Sequence, residues 1–263
     1  MKNIKLFFKN IKKYHKYALR SAKAELKSEV ADSYLNWLWW IIEPLCFMII
    51  YTFVFGVIFK NNTPHFASFV FAGLTVWEFF NRMVTGSVQL ISNNRDLVTK
   101  VYIPKYILLL SKSYTYLFKM GISLLILLGL MAFQGVNFTP YIFMIIPTIV
   151  VLYILCFGIG MILMHFGVLL NDLANLTRIV LRMVFYLSGI FYSIREKLEG
   201  PLRHFLLRGN PAAFLMDEMR KSLLEGRWNS FEGLAFWLVI GIILNIIGIM
   251  IIHKNENSYA KVI

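Results

Sequence analysis

Residues 37–59 read WLWWIIEPLCFMIIYTFVFGVIF, a run of 23 residues whose one charged side chain is Glu43. At ~1.5 Å per residue, a helix of this length extends ~34 Å, which is enough to cross a hydrocarbon core of ~30 Å. The first 35 residues carry nine Lys or Arg, and basic residues crowded before a first span hold that end of the chain in the cytoplasm. This junction predicts a membrane protein whose amino terminus lies inside.

The composition of the whole chain also indicates a membrane protein. Of its 263 residues, 58% are hydrophobic and 16% are charged, with a mean hydropathy of +0.64, whereas soluble domains are about 25% charged. We therefore predict an all-α integral membrane protein, a single membrane domain over residues 1–263. Its six transmembrane helices are predicted at 37–59, 66–91, 106–133, 141–170, 176–194 and 234–252. An even number of spans places both termini on the cytoplasmic side of the cytoplasmic membrane.

The distribution of basic residues tests this topology. Segments assigned to the inside carry fifteen Lys or Arg and those assigned to the outside carry eight, with the remaining four inside spans. The asymmetry favours the assignment, although seven of the eight outer basic residues lie in the segment 195–232. The formal net charge is +13. Because the positive charges gather beside spans, we expect membrane lipids rather than nucleic acid as their partner.

Two segments outside the spans have helical patterns of their own. Residues 1–35 place apolar side chains at helical spacing with lysines between them, which predicts an amphipathic helix in the headgroup plane on the cytoplasmic side. The segment 195–232 predicts two short amphipathic helices, Glu196–Leu207 and Pro211–Gly226, on the outer side. Asn210 before Pro211 is a helix start signal, and Gly226 is a stop signal. Such helices dip into the headgroup layer or re-enter between the spans.

The patterns of common catalytic sites are absent from the sequence. None of the 16 glycines is followed by Lys, so no Walker A loop is present, and the five histidines are scattered without paired-ligand spacing. We expect no catalytic residue and no metal site in this chain.

Charges inside the predicted spans need partners, because a charged side chain at mid-membrane costs ~2.5–3.5 kcal/mol. Glu78 and Arg82 are four residues apart and can neutralise each other on one helix. Glu43 precedes Pro44 and can pair with a neighbouring positive residue. Both features fit a structural role as well as a functional one. Lys112 and Lys119 either reach towards the interface or face an aqueous cavity.

Aromatic side chains recur in the first and fifth predicted spans. Six of them are candidates for a substrate pathway: Tyr51, Phe55, Phe59, Phe185, Tyr186 and Tyr192. Packing and lipid contact are one interpretation. The other is a lining on which sugar rings stack, since an aromatic ring combines an apolar face with a polar tip in Tyr.

The two inner loops are short and polar. Residues 92–105 read SNNRDLVTKVYIPK, where Asn93 or Asn94 can cap a short helix before Pro104. Asp172 in NDLAN (171–175) offers a second cap. Compact helices of this kind suit docking onto a cytoplasmic partner, and simple solvated loops remain the alternative.

In the order and spacing of these features, the chain resembles the permease subunit of a type-2 ABC exporter, in the branch that exports teichoic acids, O-antigens and capsular or rhamnose polysaccharides. The stretches that carry the resemblance follow the basic amino-terminal helix: LKSEVADSYLNWLWWIIEPLCFMIIYTFVFGVIF (26–59), NNRDLVTKVYIPK (93–105), NDLANLTRIVLR (171–182) and NPAAFLMDEMRKSLLEG (210–226).

The resemblance implies a homodimer of permeases with two copies of an ABC ATPase subunit, which binds ATP and Mg, and a lipid-linked glycan as substrate. It implies no cofactor on this chain. Residues that would couple the chain to the ATPase are Asn93, Asn94, Arg95, Asp96, Leu97 and Lys100, with Asp172 in the second loop. The aromatic faces of the first and fifth spans would border the glycan. Glu43 departs from the family pattern. The alternatives are an exporter of a smaller lipophilic substrate or drug, and a membrane enzyme acting on polyprenyl-linked sugars.

Overall fold

The computed structural model describes residues 2–31, 33–61, 63–197, 199–256 and 258–259. This part of the chain is helical throughout and contains no strand. In chain order the helices are α1 (Lys2–Val30), α2 (Trp39–Tyr51), α3 (Phe66–Val88), α4 (Leu90–Asn93), α5 (Arg95–Lys100), α6 (Tyr106–Phe133), α7 (Ile145–Leu169), α8 (Leu173–Leu187), α9 (Ile194–Lys197), α10 (Gly200–Gly209), α11 (Pro211–Arg220) and α12 (Phe231–Asn255). Turns of 3₁₀-helix at Asn36–Leu38 and Pro140–Met144 lead into α2 and α7, and π-helical turns at Thr52–Ile58 and Lys221–Glu225 follow α2 and α11. The prediction of an all-α membrane protein is confirmed.

Four helices are long and apolar enough to cross a membrane. They are Asn36–Ile58, Tyr106–Phe133, Pro140–Leu169 and Phe231–Asn255, at the positions of the first, third, fourth and sixth predicted spans. The other two predicted spans correspond to α3, whose Glu78 and Arg82 lower its hydropathy, and to α8, which at 15 residues is shorter than a membrane-crossing helix. The count of six spans stays a prediction.

Helix α3 lies at the centre of the molecule. Of its 23 residues, 17 are buried, and it packs against α2, α6, α7, α8 and α11. A helix that is surrounded by protein can carry polar side chains at membrane depth, because neighbouring helices rather than lipid satisfy them. This position explains how α3 tolerates Glu78 and Arg82.

Small residues bring α7 and α12 close together. An added Cβ at Gly158 would lie 2.9 Å from the Leu244 Cβ, and one at Gly248 would lie 2.7 Å from the Met161 Cβ. Glycine at such contacts lets membrane helices approach closely, so that dispersion forces act across the whole interface. Asn245 Nδ2 adds a hydrogen bond of 2.7 Å to the Ile154 carbonyl.

The amino-terminal helix α1 packs along the first half of α6. Its small residues Ala18 and Ala22 are buried in this contact, and Ser111 Oγ donates a hydrogen bond of 3.2 Å to the Ala18 carbonyl. Two ion pairs continue the contact, Lys112 with Glu25 and Lys119 with Glu29. The amphipathic helix predicted in residues 1–35 is therefore present, and its acidic residues reach the charged side chains of α6.

The segment before the last helix contains one exposed and one buried helix. Leu198, inside the predicted helix Glu196–Leu207, lies outside the described residues; α9 ends at Lys197 and α10 begins at Gly200. The exposed helix α10 is followed by α11, whose start is capped by Asn210 Oδ1, which accepts hydrogen bonds from the backbone N–H groups of Ala212 (3.0 Å) and Ala213 (3.3 Å). Helix α11 packs against α3 and α7. The following π-helical turn ends at Gly226, whose φ of 61° is left-handed, as the stop signal predicts.

Candidate functional site

A cavity of about 210 Å³ lies between α2, α3, α6 and α8. It is the place where the structure brings the predicted intramembrane charges together with some of the predicted aromatic residues. Its lining comprises Trp40, Glu43, Pro44, Phe47, Tyr51, Phe71, Leu74, Thr75, Glu78, Phe79, Arg82, Tyr116, Lys119, Met120, Ser123 and Phe185. The cavity therefore has a mixed wall of aromatic and charged groups.

The charged wall is a network centred on Arg82. Its Nε lies 3.0 Å from Glu78 Oε2, and its Nη2 lies 3.4 Å from Glu43 Oε1. The sequence predicts the first pair from its helical spacing, and the structure supplies Arg82 as the partner of Glu43. Both carboxylates remain accessible, with 45% of the Glu78 side chain and 51% of the Glu43 side chain exposed. They can accept hydrogen bonds from a ligand while Arg82 balances their charge.

The amino-terminal helix reaches this cavity through a second ion pair. Lys119 Nζ, in the cavity wall, lies 2.6 Å from Glu29 Oε2 of α1. Of the two alternatives for Lys119, the structure shows the one facing a cavity. The charge that Lys119 presents to the cavity consequently depends on the position of α1.

The predicted pathway aromatics fall into two groups. Tyr51 and Phe185 line the cavity, with their ring centroids 6.5 Å apart. Phe55 stacks on Phe191 at 4.1 Å and on Phe59 at 5.6 Å. Phe59 itself is exposed. Phe191 also contacts Tyr51 at 4.8 Å, so these rings form a row that runs from the cavity through Phe191 and Phe55 to Phe59.

The remaining two candidates lie away from this row. Tyr186 is exposed, and Tyr192 is half-buried, with its hydroxyl donating to the Tyr186 carbonyl at 3.4 Å. Neither lines the cavity.

The π-helical turn Thr52–Ile58 sets the direction of the outer part of this row. In a π-helix the hydrogen bond spans five residues instead of four, as between the Phe59 N–H and the Val54 carbonyl (3.1 Å). The wider turn changes the angle between Tyr51 and the residues after it, and Phe55 meets Phe191 there. No local sequence signal identifies this turn.

Several lining residues, among them three polar or aromatic side chains, were assigned another role or none from the sequence. Trp40 has the position of an ordinary interfacial tryptophan, yet its ring lies in the cavity wall. Tyr116 and Ser123 follow the face of α6 that carries Lys119, at spacings of three and four residues. Helical periodicity from Lys119 would have found them.

A buried arginine holds the turn that follows α8. Arg220 donates three hydrogen bonds to backbone carbonyls: Nε to Phe69 at 3.0 Å, Nη1 to Gly189 at 2.8 Å and Nη2 to Ile190 at 2.8 Å. Its guanidinium lies 3.6 Å from the centroid of the Phe69 ring, and a Cβ at Gly73 would overlap it. Arg220 thus joins the buried helix α11 to α3 and to the residues just before Phe191. No sequence pattern indicates this role of Arg220.

The predicted coupling residues lie on a separate part of the structure. Asn93 ends α4 and Asn94 precedes α5. Helix α5 contains the other coupling residues of the first loop, which are Arg95, Asp96, Leu97 and Lys100. Asp96 is 90% exposed and pairs with Lys100 at 3.5 Å. None of the coupling residues lines the cavity.

One side of α5 is packed against the protein and the other is exposed. Val98 is buried and Leu97 is half-buried, whereas Asn93, Arg95 and Asp96 are exposed. Neither Asn94 nor Asp172 makes the predicted side-chain cap; Asn94 Nδ2 instead donates to the Leu90 carbonyl at 2.8 Å. Asp172 is exposed immediately before α8. Both positions present polar side chains on rigid, short segments.

Helix α8 carries two exposed arginines. Its packed side includes Thr177 and Leu181, while Arg178 and Arg182 face outward, one turn apart. Neither makes an ion pair or a side-chain hydrogen bond to any residue that the structure describes. If α8 enters the membrane as the sequence predicts, such charges need an aqueous or anionic neighbour, since a charge at mid-membrane costs ~2.5–3.5 kcal/mol.

The described residues show no arrangement for metal chemistry. No three His, Cys, Asp or Glu side chains among them gather closely enough to hold an ion. The cavity can bind and orient a molecule through rings, carboxylates and a guanidinium.

Comparison with known proteins places the chain in a family. Residues 19–224 match the family described as ABC-2 type transporter. The chain is 26% identical over 250 residues to the O-antigen export system permease protein RfbA of Myxococcus xanthus, covering 94% of this chain and 95% of that protein. It is 24% identical to a protein of the same name from Klebsiella pneumoniae (91% and 92% covered) and 22% identical to the polysialic acid transport protein KpsM of Escherichia coli (89% and 91% covered). The family match spans well over half of the sequence, and the chain belongs to the ABC-2 type transporter family.

Proposed function

We propose that this chain is the transmembrane permease subunit of an ATP-driven transporter that exports a cell-surface polysaccharide. The observation that carries the proposal is the cavity between α2, α3, α6 and α8, where aromatic rings surround an ion-pair network. It occurs in an ABC-2 chain whose relatives are named for O-antigen export and polysialic acid transport.

The chemistry of the cavity fits a sugar better than a purely lipophilic molecule. Trp40, Tyr51 and Phe185 offer apolar faces on which the C–H faces of a pyranose ring can pack. Glu43 and Glu78 are accessible acceptors for hydroxyl groups. A small lipophilic drug offers no hydroxyl group to the exposed oxygen atoms of these carboxylates, so that displacing their water would cost binding free energy.

The family implies a separate ABC ATPase subunit as partner, and we propose how the subunits assemble. Two copies of this chain form a homodimer above two ATPase subunits, which bind ATP and Mg and supply the energy. The complex lies in the cytoplasmic membrane, in contact with its lipids and with both termini inside, as the excess of basic residues in the inner segments favours. The substrate is a glycan linked to a lipid.

The coupling step uses α5 and the segment around Asp172. ATP binding can shift the permease between two conformations only if the ATPase contacts them with different free energies. We propose that the ATPase contacts the exposed face of α5, with Arg95 and Asp96, and that this contact has a different free energy in the two conformations. The buried Val98 transmits the movement of α5 to the other helices.

Export of glycan in cells tests the function. The chain and its ATPase are expressed in a glycan-producing host that lacks its own exporter, and surface polymer is measured with a fluorescent lectin. We expect surface polymer only when both subunits are present. Tyr51→Ala, in the cavity wall, lowers it severalfold, while Phe143→Ala, an exposed ring outside the cavity, leaves it unchanged.

Two results would contradict the proposal. One is full surface polymer without this chain. The other is unchanged surface polymer combined with efflux of an apolar dye that depends on this chain, which would favour an exporter of small lipophilic molecules.

A further inference from the structure

The arginine pair of α8, Arg178 and Arg182, has no counterion in the part of the chain that the structure describes. We propose that this pair binds the phosphate or diphosphate group that links the transported glycan to its lipid. The inference rests on the proposed function and assigns the site at which the anionic part of the substrate is held.

A second copy of the chain cannot supply the missing negative charge at membrane depth. The six predicted spans contain two acidic residues, Glu43 and Glu78. Arg82 already contacts both, at 3.4 Å and 3.0 Å. In the proposed homodimer, the predicted spans of the second copy therefore add two further arginines and no free carboxylate, which favours a counterion from the substrate.

The geometry of the pair suits a phosphate group. The arginines lie at positions i and i+4 of one helix, where side chains are neighbours and like charges repel each other. An anion between them removes this repulsion. A guanidinium binds phosphate through two parallel N–H donors, and two guanidiniums can hold two phosphoryl groups at once.

The position of the pair favours the substrate over bulk lipid. Arg182 is nine residues after the start of α8, about 14 Å along the helix, and a helix that begins at the membrane surface would carry it below the layer of headgroup phosphates. Phe185, three residues further and about 4.5 Å along the axis, lines the aromatic cavity. In a lipid-linked glycan the phosphate is bonded directly to the first sugar. A phosphate at Arg182 consequently puts that sugar beside Phe185.

Binding of a polyprenyl diphosphate, without a sugar, tests the site separately from transport. The permease–ATPase complex is placed in phosphatidylcholine nanodiscs, and the affinity for a fluorescent polyprenyl diphosphate is measured in wild type and in R178Q/R182Q. We expect the double variant to bind at least about tenfold more weakly, since two charge-assisted contacts are lost. R182Q alone shows a smaller loss. R208Q, which removes an exposed arginine of α10, binds like wild type.

Two further probes identify the source of the phosphate and the state of the protein. The polyprenol without phosphate should bind equally to wild type and R178Q/R182Q, which also shows that the variant is folded. Phosphatidylglycerol added to the nanodiscs should not displace the diphosphate. Unchanged affinity in R178Q/R182Q, an equal loss in R208Q, or full displacement by phosphatidylglycerol would each overturn the inference.

The outcomes separate this inference from the proposed function. If R178Q/R182Q keeps its affinity while the host still displays polymer, the phosphate site is wrong and the exporter assignment stands. If the diphosphate binds through the arginines but no polymer reaches the surface, the site stands and the substrate assignment fails.

Discussion

Lys119 in the wall of the cavity lies 2.6 Å from Glu29 of the amino-terminal helix. With Lys112 and Glu25, this pair fastens α1 to the half of α6 that leads into the cavity. The basic amphipathic helix is thereby connected to the cavity. Movement of α1 would change the charge that Lys119 presents there.

Breaking the pair should loosen α1. In Glu29→Gln the ammonium of Lys119 loses its partner, and we expect trypsin to cleave α1 severalfold faster, with a loss of roughly 1 kcal/mol in the docking of the helix. The swap Glu29→Lys with Lys119→Glu restores protection. Glu196→Gln, on the exposed α9, serves as the control and leaves the cleavage rate unchanged. Equal cleavage of all four proteins would show that the pair does not hold α1.

Removal of Arg82 should be far more harmful than removal of Glu43. Arg82→Gln leaves the carboxylates of Glu43 and Glu78 facing each other without a cation, and we expect the initial rate of glycan export to fall at least about tenfold. Glu43→Gln keeps the Glu78–Arg82 pair and lowers the rate less. Export per permease molecule is the measurement, and an equal effect of the two substitutions would argue against Arg82 as the centre of the network.

Substitutions of the exposed Asp96 and the half-buried Leu97 in α5 should uncouple transport without unfolding the permease. For Asp96→Ala and Leu97→Ala we expect export to fall severalfold while the amount of folded permease in the membrane stays at the wild-type level. Glu232→Ala, which changes an exposed residue at the start of α12, is the control and leaves export intact. Undiminished export in the two α5 variants would contradict the coupling role.

Arg220 should be the most costly single arginine to replace. Arg220→Met removes a donor from three buried carbonyls, and those of Gly189 and Ile190 lie outside any helix, where each unsatisfied buried group costs about 1–3 kcal/mol. We expect a fall of several degrees in the thermal unfolding temperature of the detergent-purified chain. Arg227→Met, on the exposed segment after Gly226, should change it by less than about one degree. Similar temperatures for both variants would refute the anchoring role.

The almost fully buried Lys105 should make stability depend on pH. Burial lowers the pKa of Lys105, an effect that nearby Glu256 partly offsets. Between this lowered pKa and the ordinary value of 10.5, the unfolded chain binds more protons, so stability rises with pH. Lys105→Met should reduce that rise in urea unfolding measured at several pH values. An identical pH dependence of stability in wild type and Lys105→Met would contradict this role of Lys105.

Some local signals in the sequence predicted local structure, whereas the caps predicted at Asn94 and Asp172 do not form. Asn210 with Pro211 specifies the start of α11, and Gly226 specifies its stop, because each acts through its own backbone and nearest neighbours. The pair Glu78–Arg82 follows from the spacing of one helix turn in the same way.

Contacts between distant segments could not be predicted in this manner. Glu43 reaches Arg82 across 39 positions, and Arg220 reaches Phe69 across 151. The fifth predicted span extends to Ile194, whereas α8 ends at Leu187, since Gly189 adopts a left-handed φ of 67°. The apolar, aromatic sequence around Gly189 did not identify that turn, because Arg220, which is distant in the chain, holds it by donating hydrogen bonds to the carbonyls of Gly189 and Ile190.

The most direct test of the account is translocation by purified components in liposomes. The permease is reconstituted with and without its ABC ATPase, lipid-linked glycan is supplied on the ATPase side, and arrival on the opposite side is followed with a membrane-impermeant glycosidase. We predict transport only with the ATPase and ATP present, and none from the permease alone even with an ion gradient. Sustained translocation by the permease alone would contradict the claim that this chain provides the path while a nucleotide-hydrolysing partner provides the energy.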